Sequence, residues 1–226
     1  MDKTIALVGT FDTKGKEFLF VKELIESLGF RTFTIHTGVF EPVFEPDVSN
    51  RAVVAAAGGD IEEIVERKDR AYATATLAKG MEVLLPELFK EGKFNGVLSF
   101  GGTGGTSIAT AGMRKLPIGV PKVMVSTVAS GNTLPYVGMS DIVMFPSIVD
   151  IAGINSFSIK IFSNAVFAIA GMLQYEQKTT KEQKPLIAAT MFGLTTPCIN
   201  YAKKYLEDHG YEVLIFHATG IGGKTM

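Results

Sequence analysis

Three short stretches hold most of the side chains able to do chemistry. Gly101-Gly102-Thr103-Gly104-Gly105-Thr106-Ser107 follows the apolar run Val97 to Phe100 and leads into Ile108-Ala109-Thr110-Ala111-Gly112-Met113. An apolar run of strand length, then glycines, then a helical pattern predicts a strand, a tight loop and a helix start. Bare backbone N–H groups would gather there at a positive helix end, where a phosphate or carboxylate is held. Glycine allows close approach to the main chain, while Thr103, Thr106 and Ser107 add hydroxyl donors. Gly9-Thr10-Phe11-Asp12-Thr13-Lys14-Gly15 lies where a first strand meets a first helix. Asp12 or Thr13 is expected to cap that helix. Beside a nucleotide, Lys14 would balance phosphate charge and Asp12 would hold Mg²⁺ or a ribose hydroxyl. Ser126-Thr127-Val128-Ala129-Ser130-Gly131 offers a second hydroxyl-rich rim if strands three and four are neighbours; otherwise it is a solvated loop.

The glycine loop is neither of two common phosphate motifs. From Gly102 the order is Gly-Thr-Gly-Gly-Thr-Ser, which lacks the third glycine of a dinucleotide fingerprint, and no acidic ribose ligand ends the next strand. No Gly-Lys-Thr/Ser follows it, as a Walker loop requires. Gly223-Lys224-Thr225 imitates one, but Ala218 stands where its first glycine belongs. His36 ends a strand and is read as structural, since His217 recurs at the equivalent place. With three histidines and one cysteine, a transition-metal site is not expected. Cys198 is expected to pack as a small hydrophobe. Arg67, Lys68, Asp69 and Arg70 read as a solvated helix surface, with a phosphate-reaching arginine as the alternative.

The elements that must position these stretches can be read from hydrophobic spacing. Thr4 to Val8 is a strand; Phe18, Val21, Ile25 and Leu28 recur at helical spacing before Gly29; Arg31 to Ile35 is a second strand, completing a parallel βαβ unit. The two prolines within Val39 to Asp47 predict a loop over the sheet's edge or mouth. Ser49 caps a short helix, Asp60 with Glu63 suggests a capping box, and a longer helical stretch runs from Ala71 to Leu88 after a break near 68–70. Further strands are expected at Val97 to Phe100, Lys122 to Val125 and Ile142 to Phe145, and a last helix from Ile154 to Tyr175. Ile159 to Leu173 is broken by Lys160, Ser163 and Asn164 and predicts a buried helix too short to span a bilayer. Successive strands ending in polar or glycine-rich loops predict a doubly wound, Rossmann-like parallel α/β sheet that binds ligands beyond its carboxyl edge.

That nucleotide-binding domain is expected over residues 1–177, followed by a linker at 178–184 and a partial second α/β domain at 185–226. An offset of 181 sets Phe192 on Phe11, Leu206 on Ile25, Gly210 on Gly29, Tyr211 on Phe30 and His217 on His36. Two strands and a helix cannot bury their own apolar faces, so this start of a second domain is expected to lean on the first domain or on a neighbouring chain, and a homo-oligomer is expected.

A net charge of −1 and the lack of a basic stripe argue against nucleic acid. The hydrophobic fraction of 46% suits strands covered on both faces. A single cysteine, and an amino terminus that enters a strand directly, lead to the expectation of a cytoplasmic protein without a signal peptide or membrane partner.

Taken with Asp150-Ile151-Ala152-Gly153-Ile154-Asn155, the Gly9 loop, His36-Thr37-Gly38, the Gly101 loop and Val125 to Gly131 resemble the Tm-one-like ATP-binding family, named for the tomato mosaic virus resistance protein. The resemblance runs over the whole chain and implies ATP binding in the first of two α/β domains. The expected nucleotide-binding residues are therefore Gly9, Thr10, Asp12, Thr13, Lys14, Gly101, Gly102, Thr103, Gly104, Gly105, Thr106, Ser107, Ser126, Thr127, Ser130 and Gly131, with ATP and Mg²⁺ as cofactors. Two alternatives stand beside binding alone: an ATP- or phosphate-dependent enzyme with a small-molecule second substrate, activating a carboxylate or transferring a phosphoryl group, and a nucleotide-stabilised protein-interaction module.

Overall fold

The structure, a computed structural model, describes residues 3–175 and 184–226. The chain divides into two compact units, Met1–Glu176 and Gln177–Met226. The linker expected at 178–184 lies outside the described residues, apart from Lys184.

Unit one contains β1 (Thr4–Gly9), α1 (Gly15–Ser27), β2 (Arg31–His36), α2 (Asn50–Ala56), α3 (Ile61–Arg67), α4 (Arg70–Lys90), β3 (Gly96–Gly101), α5 (Thr103–Met113), β4 (Lys122–Ser126), α6 (Leu134–Val137), β5 (Val143–Pro146) and α7 (Ser156–Gln174). Its strands form one parallel sheet in the order β2-β1-β3-β4-β5. Alternation along β1 divides the core. Ile5 and Leu7 join Phe18, Val21 and Ile25 of α1 and Phe162, Val166 and Ile169 of α7; Ala6 and Val8 join residues of α2, α3, α4 and α5. Helices therefore cover both faces, which is the expected doubly wound sheet. α4 lies close against two other backbones: a Cβ on Gly80 would come within 1.9 Å of the Val53 carbonyl oxygen, and one on Gly112 within 2.8 Å of the Met81 carbonyl oxygen.

Local chemistry corrects several expectations. Ser49 caps α2 by accepting from Ala52 N at 3.3 Å. Asp60 caps α3 by accepting from Glu62 N, but Glu63 does not return to close a capping box; it pairs with Arg67 at 2.7 Å. The break at 68–70 is real: Lys68 takes a left-handed φ of 50°, and Asp69 caps α4 through Ala71 N and Tyr72 N. α7 has 19 residues and is, by length and composition, long and apolar enough to cross a membrane, contrary to the expectation of a shorter segment. One of its faces is nevertheless packed into the sheet core.

Unit two pairs β6 (Leu186–Met191) in parallel with β7 (Glu212–His217), joined by α8 (Thr196–Asp208) and followed by α9 (Gly222–Thr225). The offset of 181 carries α1 onto α8 and β2 onto β7, and Gly29 and Gly210 both turn the chain left-handed, with φ of 83° and 89°. Cys198 is exposed on α8 and does not pack as a small hydrophobe.

Lys122, at the start of β4, has a side chain 0% exposed. Its ammonium donates to the carbonyls of Pro117 at 2.8 Å and Val120 at 2.9 Å and pairs with Asp141 at 2.6 Å. Burial raises the Asp141 pKa, but hydrogen bonds from Lys122 and Gly119 N, with the Lys122 charge, outweigh it and hold the carboxyl below its ordinary value. A carboxylate with a depressed folded pKa adds stability above its unfolded value, near pH 4, that is lost as pH falls through the folded value. Asp141→Asn strands a buried ammonium, so urea unfolding should show a loss of about 3 kcal/mol and a flatter acid decline below about pH 4. Lys122→Met leaves a half-exposed carboxylate that water can solvate, and should cost under about 1.5 kcal/mol. Equal costs would show that Asp141 does not counter the buried charge.

Candidate functional site

Leaving β1, the chain turns to β2 on one side and later returns to β3 on the other. Crevices beyond the carboxyl ends of strands at such a reversal bind ligands in open parallel sheets. A cleft of about 610 Å³ opens there in unit one. Ile64, Val65, Ala73 and Leu77 make one apolar wall; Gly101, Gly102, Gly104, Gly105 and Ile108 form the floor; Thr10, Asp12, Thr13, Lys14, Thr37 to Phe40 and Asp150 form the rim.

The rim is built from buried His36 at the end of β2. Its Nδ1 accepts from Phe11 N at 3.1 Å and Gly38 N at 3.3 Å, which leaves Nε2 to donate to the Phe40 carbonyl at 2.9 Å. The ring also stacks on Phe11, with centroids 5.4 Å apart. His36 is therefore structural, as expected. Asp12 does not cap α1, and neither does Thr13: the cap position is Lys14, and no side chain serves it. Asp12 instead accepts from Thr13 N at 2.8 Å and Phe40 N at 3.1 Å, tying the Gly9 loop to the loop after β2. Gly38 is required at this crossing, because a Cβ there would overlap the Asp12 carboxylate at 2.2 Å. The Thr10 and Thr13 hydroxyls bond each other at 2.9 Å. The Lys14 ammonium donates to the Ile151 carbonyl, joining α1 to the loop after β5.

The floor differs from the expected loop. α5 starts at Thr103, so Thr103 to Ser107 are already helical. Gly101 and Gly105 permit this early start: a Cβ on Gly101 would lie 3.1 Å from the Gly105 Cα. Gly102 holds the cap position without a side-chain cap, and the first N–H groups of α5 have no acceptor inside the helix. Thr106 and Ser126 are buried and bond each other at 2.6 Å, so their hydroxyls belong to the frame and not to the cleft lining. Gly9 also serves packing, since a Cβ there would overlap the Phe18 ring. Ser107 bonds back to the Thr103 carbonyl, and neither residue lines the cleft. Thr127 and Ser130 line a neighbouring depression, and Gly131 closes a turn onto the Val128 carbonyl.

The structure adds residues that spacing did not single out. Of the four residues at 67–70, Lys68, Asp69 and Arg70 line the cleft, while Arg67 lies over the Tyr72 ring at 4.1 Å. The Arg70 guanidinium has no hydrogen bond or ion pair among the described residues, and it reaches within 3.9 Å of where a Gly104 Cβ would stand. The lining acids Asp12, Asp69 and Asp150 all accept backbone N–H groups, so their charges are partly answered while Arg70 faces the uncapped end of α5. Asp150 was visible only as part of a motif; the turn that aims it has no period to read. Among the described residues no group of three or more His, Cys, Asp or Glu converges on a metal-sized site.

Residues 3–178 match the N-terminal domain, and residues 184–226 the C-terminal domain, of an uncharacterised protein family, UPF0261. A UPF0261 protein of Clostridium tetani is 51% identical over 100% of this chain and 56% of its own length, and one of Rhizobium meliloti is 43% identical over 99% and 55%. The ToMV resistance protein Tm-1(GCR237) of Solanum lycopersicum is 40% identical over 97% of this chain and 32% of its own length. The chain thus spans about half the length of these bacterial relatives. Among solved structures, a UDP-N-acetylglucosamine 2-epimerase from Rickettsia bellii aligns over 100% of this chain and 64% of its own, at 13% identity and a TM-score of 0.40.

The frame around the cleft can be tested without a ligand. His36→Phe keeps the ring but leaves Phe11 N and the Phe40 carbonyl without their buried partner, and should lower urea-unfolding stability by about 3 kcal/mol. A loss under about 0.5 kcal/mol would show that the rim does not depend on this imidazole.

Proposed function

This chain belongs to the UPF0261 family, and we propose that the cleft of its first unit binds ATP. The observation that carries this reading is the unpaired Arg70 guanidinium facing the glycine-rich, uncapped start of α5. Phosphate oxygens suit backbone N–H groups at a helix end, and an added guanidinium supplies a charge-assisted hydrogen bond. The apolar wall of Ile64, Val65, Ala73 and Leu77 offers a base a flat hydrophobic surface, and about 610 Å³ falls in the range of small-molecule sites. Mg²⁺ carried on the phosphates needs only one or two protein carboxylates, and Asp12, on the rim of the cleft, can supply one. The ammonium of Lys14 already holds the Ile151 carbonyl, so its part is to fix the rim and add positive charge. Nucleotide capture by unit one serves an enzyme and a binding module alike.

Calorimetric titration of the chain with Mg²⁺ and ATP tests the reading, with NAD and a phosphorylated sugar as controls. A Cβ at Gly104 would sit 3.8 Å from Thr74 Oγ1, in ordinary contact, so Gly104→Val should fold yet crowd the floor and weaken ATP at least about tenfold. Arg70→Ala should weaken it by about tenfold through the lost charge-assisted bond. No saturable heat with ATP, or unchanged affinity in both variants, would sink the proposal.

A further inference from the structure

Across Asp150 from the cleft lies a second depression of about 410 Å³, formed by the loops after β4 and β5 and lined by Thr127, Ser130, Ser147, Ile148, Val149 and Asp150. Asp150 lines both spaces. The Thr127 and Ser130 hydroxyls have no partner among the described residues. Ser147 donates its hydroxyl to the Val149 carbonyl at 2.7 Å. No lysine or arginine lines the depression, and Asp150 is its one ionisable group. A ligand anion would meet only negative charge there. A neutral molecule with adjacent hydroxyls could donate to the carboxylate and exchange hydrogen bonds with Thr127 and Ser130.

The backbone beside it is costly in a way that packing does not repay. Ile148 is β-branched, has φ of 63° and is 70% exposed. Val149 N donates to the Ser147 carbonyl at 2.7 Å, which makes Ile148 the centre of a tight γ-turn of the strained hand. On one side the turn is fixed by Ser147 N donating to the Ser126 carbonyl at 3.1 Å. On the other, α1 fixes the chain twice: Lys14 holds the Ile151 carbonyl, and the Glu17 carboxylate accepts from Gly153 N at 2.6 Å. Asp150 is thereby pinned between a strained turn and two anchors, the pattern of a residue held in place for a ligand.

We propose that this depression is a separate site for a small neutral molecule bearing adjacent hydroxyls, of polyol or sugar type, with Asp150 as the wall it shares with the nucleotide cleft. The assignment does not rest on ATP as the occupant of that cleft. It also turns against a carboxylate as second ligand.

The test is amide NMR of the full chain titrated with D-ribose and glycerol, with D-glycerate as the anionic counterpart, each with and without ATP. Ribose or glycerol should shift the Thr127, Ser130 and Val149 amides saturably in the millimolar range, and glycerate should not. Asp150→Asn should weaken the neutral probe by about tenfold and admit glycerate. Ile148→Gly should raise the thermal midpoint by relieving strain while weakening the probe, a split that a purely structural turn would not give. The proposal is overturned by the absence of saturable shifts up to about 100 mM of both neutral probes. Indifference of the shifts to Asp150→Asn would overturn it as well, and so would competitive displacement by ATP, which would make the depression part of the nucleotide's own site. Failure of ATP to bind leaves the probe titration readable and bears only on the nucleotide reading.

Discussion

Everything in the cleft depends on how closely the first turn of α5 approaches the end of β3. Gly101 and Gly105 sit so near each other that a Cβ on Gly101 would lie 3.1 Å from the Gly105 Cα. Thr106 then locks the contact, donating to the Gly102 carbonyl at 2.8 Å and meeting Ser126 across the β3–β4 pair at 2.6 Å. With the helix start seated directly on the sheet edge, its free N–H groups open into the crevice between β1 and β3 instead of toward a long loop. Glycine's entropy cost at four positions is repaid by main-chain approach that no other residue permits.

The same economy of contact shapes the opposite rim. α1 contributes packing through Phe18, Val21 and Ile25, and polar atoms from its first turn reach across to the loop after β5 through Lys14 and Glu17. Asp12 binds the loop after β2, which His36 holds from beneath. Two loops of distant sequence are thus fixed by side chains of one short stretch, so the rim's shape is set by hydrogen bonds to backbone, and the cleft's uncommitted positive charge lies with Lys68 and Arg70, which take no part in them. Charged groups whose partners are backbone N–H groups stabilise geometry; a guanidinium without a partner is available to a ligand.

Period and punctuation were enough to read the sheet and the main helices of both layers, because apolar alternation and helical spacing are local signals, but not that α5 begins inside the glycine stretch. Strand order was not readable, since it depends on which strands pair. The hydroxyls of Thr106 and Ser126 looked like ligand groups beside glycines, and only their mutual burial shows that they are spent on each other. Arg70 was hidden in a charged run whose plain reading was solvent, because the left-handed turn at Lys68 that starts a new helix there decides where its side chain points. Asp150 was hidden for a similar reason: a positive φ at a β-branched residue is the opposite of what Ile148 suggests from type.

Unit two offers an internal comparison. The offset that carries α1 onto α8 keeps the frame: Phe11 maps to Phe192, His36 to His217 and Gly29 to Gly210, and the Phe192 and His217 rings again meet, with centroids 6.1 Å apart. The chemistry is not kept. Asp12 maps to Gly193, Lys14 to Thr195, Glu17 to Cys198 and Gly38 to Thr219. A parallel βαβ unit with its phenylalanine–histidine contact therefore forms without the acids and the lysine that tie the rim of unit one to its neighbouring loops. Those groups are not a by-product of closing the βαβ turn. They are additions to a frame that forms without them, which sets Asp12, Lys14 and Glu17 apart from His36, whose counterpart is kept with the fold.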